Sequence, residues 1–130
     1  MPGRKPQEKP RPQPGQDSEQ YIYLTTRGRK SRQPREIEIW FTHRDGRFYV
    51  IAEYETSHWL QNICAHPEVQ VRVGRRTFSA QARVLSPEKD SELNRAVQEL
   101  SRKKYGWGDG VVVELNLLRS VTETSPLDQK

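Results

Sequence analysis

Apolar residues are scarce in this sequence. Hydrophobic residues make up 32% of its 130 positions and charged residues 30%. No stretch approaches the roughly 18 consecutive apolar residues that a membrane-spanning helix needs. Cysteine occurs once, as Cys64, which excludes an internal disulfide framework and any cysteine-based metal cluster; a reducing, cytoplasmic setting is the expectation. The opening residues lack an apolar stretch between basic and small-residue flanks, so no secretory leader is expected. His43, His58 and His66 show no standard ligand spacing, so no metal site is predicted. A nucleophile elbow and a Walker loop are also missing. The chain suits one domain. Lysine and arginine total 22 against 17 acidic residues, a net charge of +5, and that excess calls for an anionic partner.

The scarcity is uneven. Residues 1–19, MPGRKPQEKPRPQPGQDSE, contain no Leu, Ile, Val or aromatic residue. Such a segment cannot bury enough surface to offset its ordering entropy, so a disordered Pro/Arg-rich tail is expected. A shorter loose end is expected over 121–130, leaving 20–120 as the folded domain. There the apolar period is mostly two. Tyr21 to Thr25 reads as a strand. Arg35 to Thr42 alternates, with Ile37, Ile39 and Phe41 on one face and Glu36, Glu38 and Trp40 on the other. Asp45-Gly46 is a strong hairpin signal, because both residues tolerate positive φ. Phe48, Val50 and Ala52 carry the returning strand; Val69, Val71 and Val73 the next. Phe78, Ala80, Ala82 and Val84 mark another inward face, and Val111 begins the last strand. Two segments switch to helical spacing. One carries Trp59, Leu60, Ile63 and Cys64, with Cys64 on the apolar stripe. The other starts at Ser86-Pro87, carries Leu93, Ala96, Val97 and Leu100, and stops at Gly106. The predicted fold is mainly β with two helices: a small barrel of six strands.

The densest chemical feature is Thr25-Thr26-Arg27-Gly28-Arg29-Lys30-Ser31-Arg32-Gln33-Pro34-Arg35, between the first two strands. Clustered Arg and Lys supply charge and donors, Thr26 and Ser31 add neutral hydrogen bonds, and the glycine permits close backbone approach. This is a candidate phosphate cradle; a solvated basic hairpin is the plainer alternative. Trp40, Trp59, Tyr105 and Trp107 are the rings able to wall a flat ligand or, equally, to close the end of a barrel. Glu36 and Glu38 read as a charged outer face. With no nucleophile of its own in evidence, the chain must take its chemistry from a cofactor if it is an enzyme.

The stretch from Leu24 to Arg35, then Trp59-Leu60-Gln61-Asn62-Ile63, His66-Pro67-Glu68-Val69, Val73-Gly74-Arg75-Arg76-Thr77-Phe78 and Ala82-Arg83-Val84, resembles the deazaflavin-dependent nitroreductase family. These are split β-barrel proteins related to the FMN-binding, pyridoxamine-phosphate-oxidase-like domains. The resemblance spans about residues 20–108. It implies a split barrel that binds coenzyme F-420, an 8-hydroxy-5-deazaflavin, or alternatively FMN. It implies that Arg29, Lys30, Ser31 and Arg35 hold the cofactor's anionic end, with Thr26 beside them, and that Trp59 and Asn62 belong to the same site. It places Tyr105 in the substrate pocket, with Trp107 beside it; Tyr105 is also the candidate catalytic proton donor, and Trp40 a further candidate substrate contact. Such barrels are often homodimers. This chain departs from the family at Arg32, where glycine often follows the serine, and at Glu53-Tyr54-Glu55-Thr56, where many members carry a basic glycine-rich loop.

The expected function is therefore hydride transfer from a reduced deazaflavin to a flat quinone- or nitroaromatic-like acceptor. FMN-dependent chemistry on the same scaffold is the second reading. A third is a nucleic-acid-binding barrel, with Tyr21, Tyr23, Trp40 and Phe48 stacking bases. Against it stand Glu8, Asp17 and Glu19 in the tail, and the fall of those aromatics on core-like positions.

Overall fold

The structure, a computed structural model, describes residues 20–121. The expected tail over 1–19 lies outside the described residues, as do 122–130 of the expected loose end. The elements in chain order are β1 (Tyr21–Arg27), β2 (Pro34–Trp40), β3 (Thr42–Arg44), β4 (Arg47–Ala52), α1 (His58–Ala65), β5 (Glu68–Val73), β6 (Arg76–Val84), α2 (Ser91–Tyr105) and β7 (Val111–Ser120).

All the strands pair antiparallel, in the spatial order β2-β1-β5-β6-β7-β4-β3. The order begins with β2 and ends with β3, and only Phe41 separates these two along the chain. The sheet therefore curls until its two margins are joined by the backbone itself, which makes it a split barrel. The strand expected over 35–42 is two strands because it bends at Phe41. Before the bend it pairs with β1, Ile39 opposite Ile22; after it, with β4, Thr42 opposite Tyr49. The Asp45-Gly46 hairpin forms as its residues dictate, with φ of 53° and 76°.

Alternation sorts the side chains into two cores. Phe48, Val50 and Ala52 of β4 and Val113 and Leu115 of β7 face the barrel interior, together with Ile22, Leu24, Val71 and Ala80. Leu60 and Ile63 of α1 enter the same cluster, so this short helix plugs the barrel. Tyr49 of β4 and Val112 of β7 point the other way. They meet Val97 of α2 and Leu85 in a smaller core outside the barrel wall.

Two details differ from the sequence reading. Cys64 is exposed: Leu60 and Ile63 occupy the buried stripe of an eight-residue helix, and Cys64 is turned about 100° beyond Ile63. The second helix begins at Ser91 rather than at Ser86-Pro87. The Ser86 hydroxyl accepts the N–H groups of Glu88 and Lys89, and the Asp90 carboxylate accepts the Ser86 N–H at 2.8 Å. This closes a separate turn, and the helix starts afresh after Asp90, whose φ of −110° and ψ of 35° are not helical. The Ser86 N–H, with Arg83 beside it, holds the Asp90 carboxyl below the usual carboxylate range.

Candidate functional site

The loop between β1 and β2 folds back on itself. Gly28 N–H donates to the Gln33 carbonyl at 2.8 Å, Arg32 N–H to the Gly28 carbonyl at 2.8 Å, and Gln33 N–H to Ser31 Oγ at 3.1 Å. A Cβ at Gly28 would lie 2.6 Å from Ser31 Oγ, so the close approach that glycine allows is to the loop's own serine. Arg32 has φ of 64°, the left-handed region. Glycine adopts it freely and arginine at a cost of about 1 kcal/mol, which is a physical reason for glycine after the serine.

Asn62 of α1 ties this loop to the barrel. The residue is 5% exposed. Its Nδ2 donates to Thr26 Oγ1 at 3.1 Å, while its Oδ1 accepts the Arg29 N–H at 3.1 Å and Arg29 Nη1 at 2.9 Å. The other end of the guanidinium, Nη2, lies 3.3 Å from His58 Nδ1. One buried amide thus fixes a strand, a loop backbone and a cationic head group at once.

The result is a cleft of about 440 Å³. Arg29, Lys30, Ser31 and Arg35 line it from the loop and β2, Thr26 from β1, and Trp59 and Asn62 from α1. These are all seven residues expected to hold a cofactor, brought together in one place. Gly28, Ile37 and His58 complete the lining, and no acidic side chain is part of it. Three cations, hydroxyl and amide groups, and the apolar faces of Ile37 and Trp59 suit a ligand with an anionic end and a flat body. His58 was not among the expected cofactor residues. The signal available in the sequence was its place next to Trp59, in helical phase with Asn62.

The expected substrate residues form a separate group. Trp40 stacks on Tyr105 with ring centroids 4.3 Å apart and an interplanar angle of 6°, and Trp107 tilts against Trp40 at 6.5 Å. Gly108 lets the Trp107 loop lie on α2: a Cβ there would stand 2.2 Å from the Gln98 carbonyl oxygen. Trp40 and Trp107 line a second pocket of about 160 Å³, along with residues 38–42, which run from β2 through Phe41 into β3, and residues 49–51 of β4. Consecutive residues alternate between the faces of a strand, so this pocket is a wedge at the strand edges, where β2 parts from β4. It shares no residue with the basic cleft. The two groups meet along β2, where Ile37 belongs to one and Glu38 to the other.

Tyr105 stands behind Trp40, outside both linings. Its hydroxyl accepts the Phe41 N–H at 3.0 Å and lies 2.8 Å from the carbonyl oxygens of both Phe41 and Gln20, which share its single hydrogen. Burial raises its pKa well above that of a free phenol. Lys104 adds a bond from Nζ to the Phe41 carbonyl at 3.0 Å and packs over the Phe41 ring. The end of α2 thus latches the bend at which the barrel closes. The Tyr105 hydroxyl is taken up by backbone groups of Phe41 and Gln20.

A polar network lies on the outer wall. Glu114, 8% exposed, accepts Tyr49 Oη at 3.1 Å and Arg83 Nε at 3.1 Å. Burial, with the carboxylate of Glu114 close by, pushes the Tyr49 phenol up to about 12. Of the rings considered for base stacking, Phe48 lies in the barrel interior, Trp40 is stacked on Tyr105 and lines one pocket with Tyr21, and the Arg72 guanidinium covers Tyr23 at 4.2 Å. Among the described residues, no helix is long and apolar enough to cross a membrane.

Residues 10–111 match the profile of the F420H(2)-dependent quinone reductase family. Among solved structures, the chain is similar to an FAD-binding protein of Mesorhizobium loti, at 15% identity and a TM-score of 0.66, covering 80% of this chain and 85% of that one. It is similar to a heme storage protein of Vibrio cholerae at 17% identity and a TM-score of 0.64, covering 82% and 90%. An F420-H2 dependent reductase aligns at 21% identity and a TM-score of 0.57, covering 75% and 94%. At such identities these likenesses speak for the fold. No curated protein matches the chain.

Proposed function

The chain belongs to the F420H(2)-dependent quinone reductase family, and from that premise we propose that it is a reductase working with coenzyme F-420 on a flat acceptor of quinone or nitroaromatic type. The observation that supports this most is the assembly of Thr26, Arg29, Lys30, Ser31, Arg35, Trp59 and Asn62 around one cleft. When bound there, the reduced cofactor supplies the hydride. The protein's own residues bind and orient. Arg29, Lys30 and Arg35 hold the anionic end, Arg29 being set in place by Asn62, and Ser31 donates its hydroxyl hydrogen to it. Ile37 and Trp59 wall the flat part and keep water from it.

The acceptor lies beside the cofactor, towards Trp40 and Trp107, whose wedge takes up β2 at Glu38 where the cleft leaves it at Ile37. Tyr105 serves by holding Trp40 and Phe41 in place, a positioning role, and the proton for the reduced product comes from solvent.

The test is to mix the purified full chain with coenzyme F-420 and, separately, with FMN, to follow the absorbance spectrum of each, and to add menadione to the reduced F-420 complex. F-420 binding followed by menadione-dependent oxidation is the expected result. A protein that takes up FMN and ignores F-420 supports flavin chemistry instead, and one that binds neither removes the enzymatic reading.

A further inference from the structure

Arg29 has no acceptor of its own to offer, so the contact between its Nη2 and His58 Nδ1 at 3.3 Å requires that nitrogen to be unprotonated. The cleft thus contains a guanidinium held between two neutral acceptors, Asn62 Oδ1 on one arm and the imidazole on the other. Both His58 and Arg29 line the cleft, and both are exposed. An anion arriving there competes for Nη2, and it is a far better acceptor than an imidazole. Once Nη2 turns to the anion, Nδ1 loses its donor and faces a negative charge.

We propose that His58 is a further ligand of the anion in this cleft: it releases Arg29, takes one proton from solvent and binds the anion as an imidazolium donor. The balance is one proton taken up for each anion bound, with no bond made or broken elsewhere. The charged groups around His58 are Arg29 and Lys30 from the loop and Arg35 from β2. Glu53 and Glu55 lie in the segment leading into α1 and are not part of the lining. An anion seated between Arg29 and His58 favours the imidazolium over the neutral ring. Imidazole is the side chain suited to such a response between pH 5 and 8. The inference rests on the reading of this cleft as the seat of an anionic cofactor and assigns a pH dependence to it.

The experiment is an NMR titration of the histidine Cε1–H signals of the full chain from pH 5 to 8, alone, with sodium sulfate, and with oxidised coenzyme F-420. Sulfate carries no titrating group in that range, and the His58→Gln variant identifies the signal. The expected result is that the His58 midpoint rises by about one pH unit with ligand bound, while His43 and His66 stay in place. Affinity then falls about tenfold between the low and high ends of the titration in the wild type and stays flat in His58→Gln. If F-420 binds and the His58 midpoint does not rise, the proposal is wrong and the cofactor reading survives. If sulfate raises the midpoint but F-420 does not bind, the proposal stands for anions and the cofactor reading fails. Binding of neither overturns both.

Discussion

Asn62→Ala is the sharpest probe of how the cleft is built. The substitution removes a side chain that makes three hydrogen bonds, to the Thr26 hydroxyl, the Arg29 amide and the Arg29 guanidinium. Thr26 is 2% exposed, so its hydroxyl loses its partner where water does not readily replace it. At about 1 kcal/mol for each of the two bonds to neutral groups, and little for the exposed guanidinium, the loss is about 2 kcal/mol. For a domain of this size that lowers Tm by about 10 °C. Arg29 also becomes free to rotate and must be ordered by the ligand, which costs about 1.5 kcal/mol and weakens cofactor binding about tenfold. Asn62→Asp separates the two effects. It keeps an acceptor for Arg29, loses the donor to Thr26 and places a negative charge in the cleft, so it lowers affinity more than alanine does and Tm less. Thermal unfolding by circular dichroism and F-420 titration by fluorescence measure the pair. A Tm for Asn62→Ala within about 2 °C of wild type, or an Asn62→Asp protein that binds as well as wild type, refutes the view that this amide organises the site.

Other expectations follow from the same geometry. Tyr105→Phe keeps the ring stacked on Trp40 but strips the Phe41 backbone of its latch; it should cost about 1–3 kcal/mol in denaturant unfolding with little change in turnover, and a hundredfold fall in turnover at unchanged stability would restore the hydroxyl as proton donor. Tyr49, at about 12 against 10.0 for a free phenol, contributes stability that is fully present below pH 10 and is lost between pH 10 and 12, about 2–3 kcal/mol in all. Absorbance of tyrosinate should show Tyr49 and Tyr105 ionising only as the fold opens, and early ionisation of all five tyrosines would contradict the burial. Arg32→Gly relieves a left-handed arginine and should raise stability by up to about 1 kcal/mol in thermal unfolding. Gly108→Ala forces a Cβ to 2.2 Å from a backbone oxygen and should cost more than about 2 kcal/mol in the same assay, with altered Trp107 fluorescence.

The sequence revealed the elements better than their joins. Strict alternation in Val69, Val71 and Val73, or in Phe48, Val50 and Ala52, specifies both a strand and its inward face, because a period of two admits one burial pattern. The bend at Phe41 left no local mark. It follows from a tyrosine 64 positions later, and no window along the chain contains both. The start of α2 was misplaced because Ser86 and Asp90 satisfy each other's backbone and close a turn that mimics a helix cap. The basic loop was legible as a cluster of cations, and the resemblance added Trp59 and Asn62. Why Asn62 matters became clear only in three dimensions, where it reaches across 36 positions to Thr26 and 33 to Arg29. The separation of the tryptophan pair from the basic cleft was equally invisible, since it depends on which strand edge stays unpaired.

A sheet whose two outermost strands are consecutive in the chain pays almost no loop entropy to bring its margins together. Keeping them together is another matter, and that task falls to the last turn of a distant helix. A variant in which Lys104 and Tyr105 are both changed to alanine keeps every strand of the sheet yet loses the groups that hold Phe41, and so presents two naked strand borders to its neighbours. Such a variant should be lost to self-association, seen as light scattering that grows with concentration, before it is lost to unfolding.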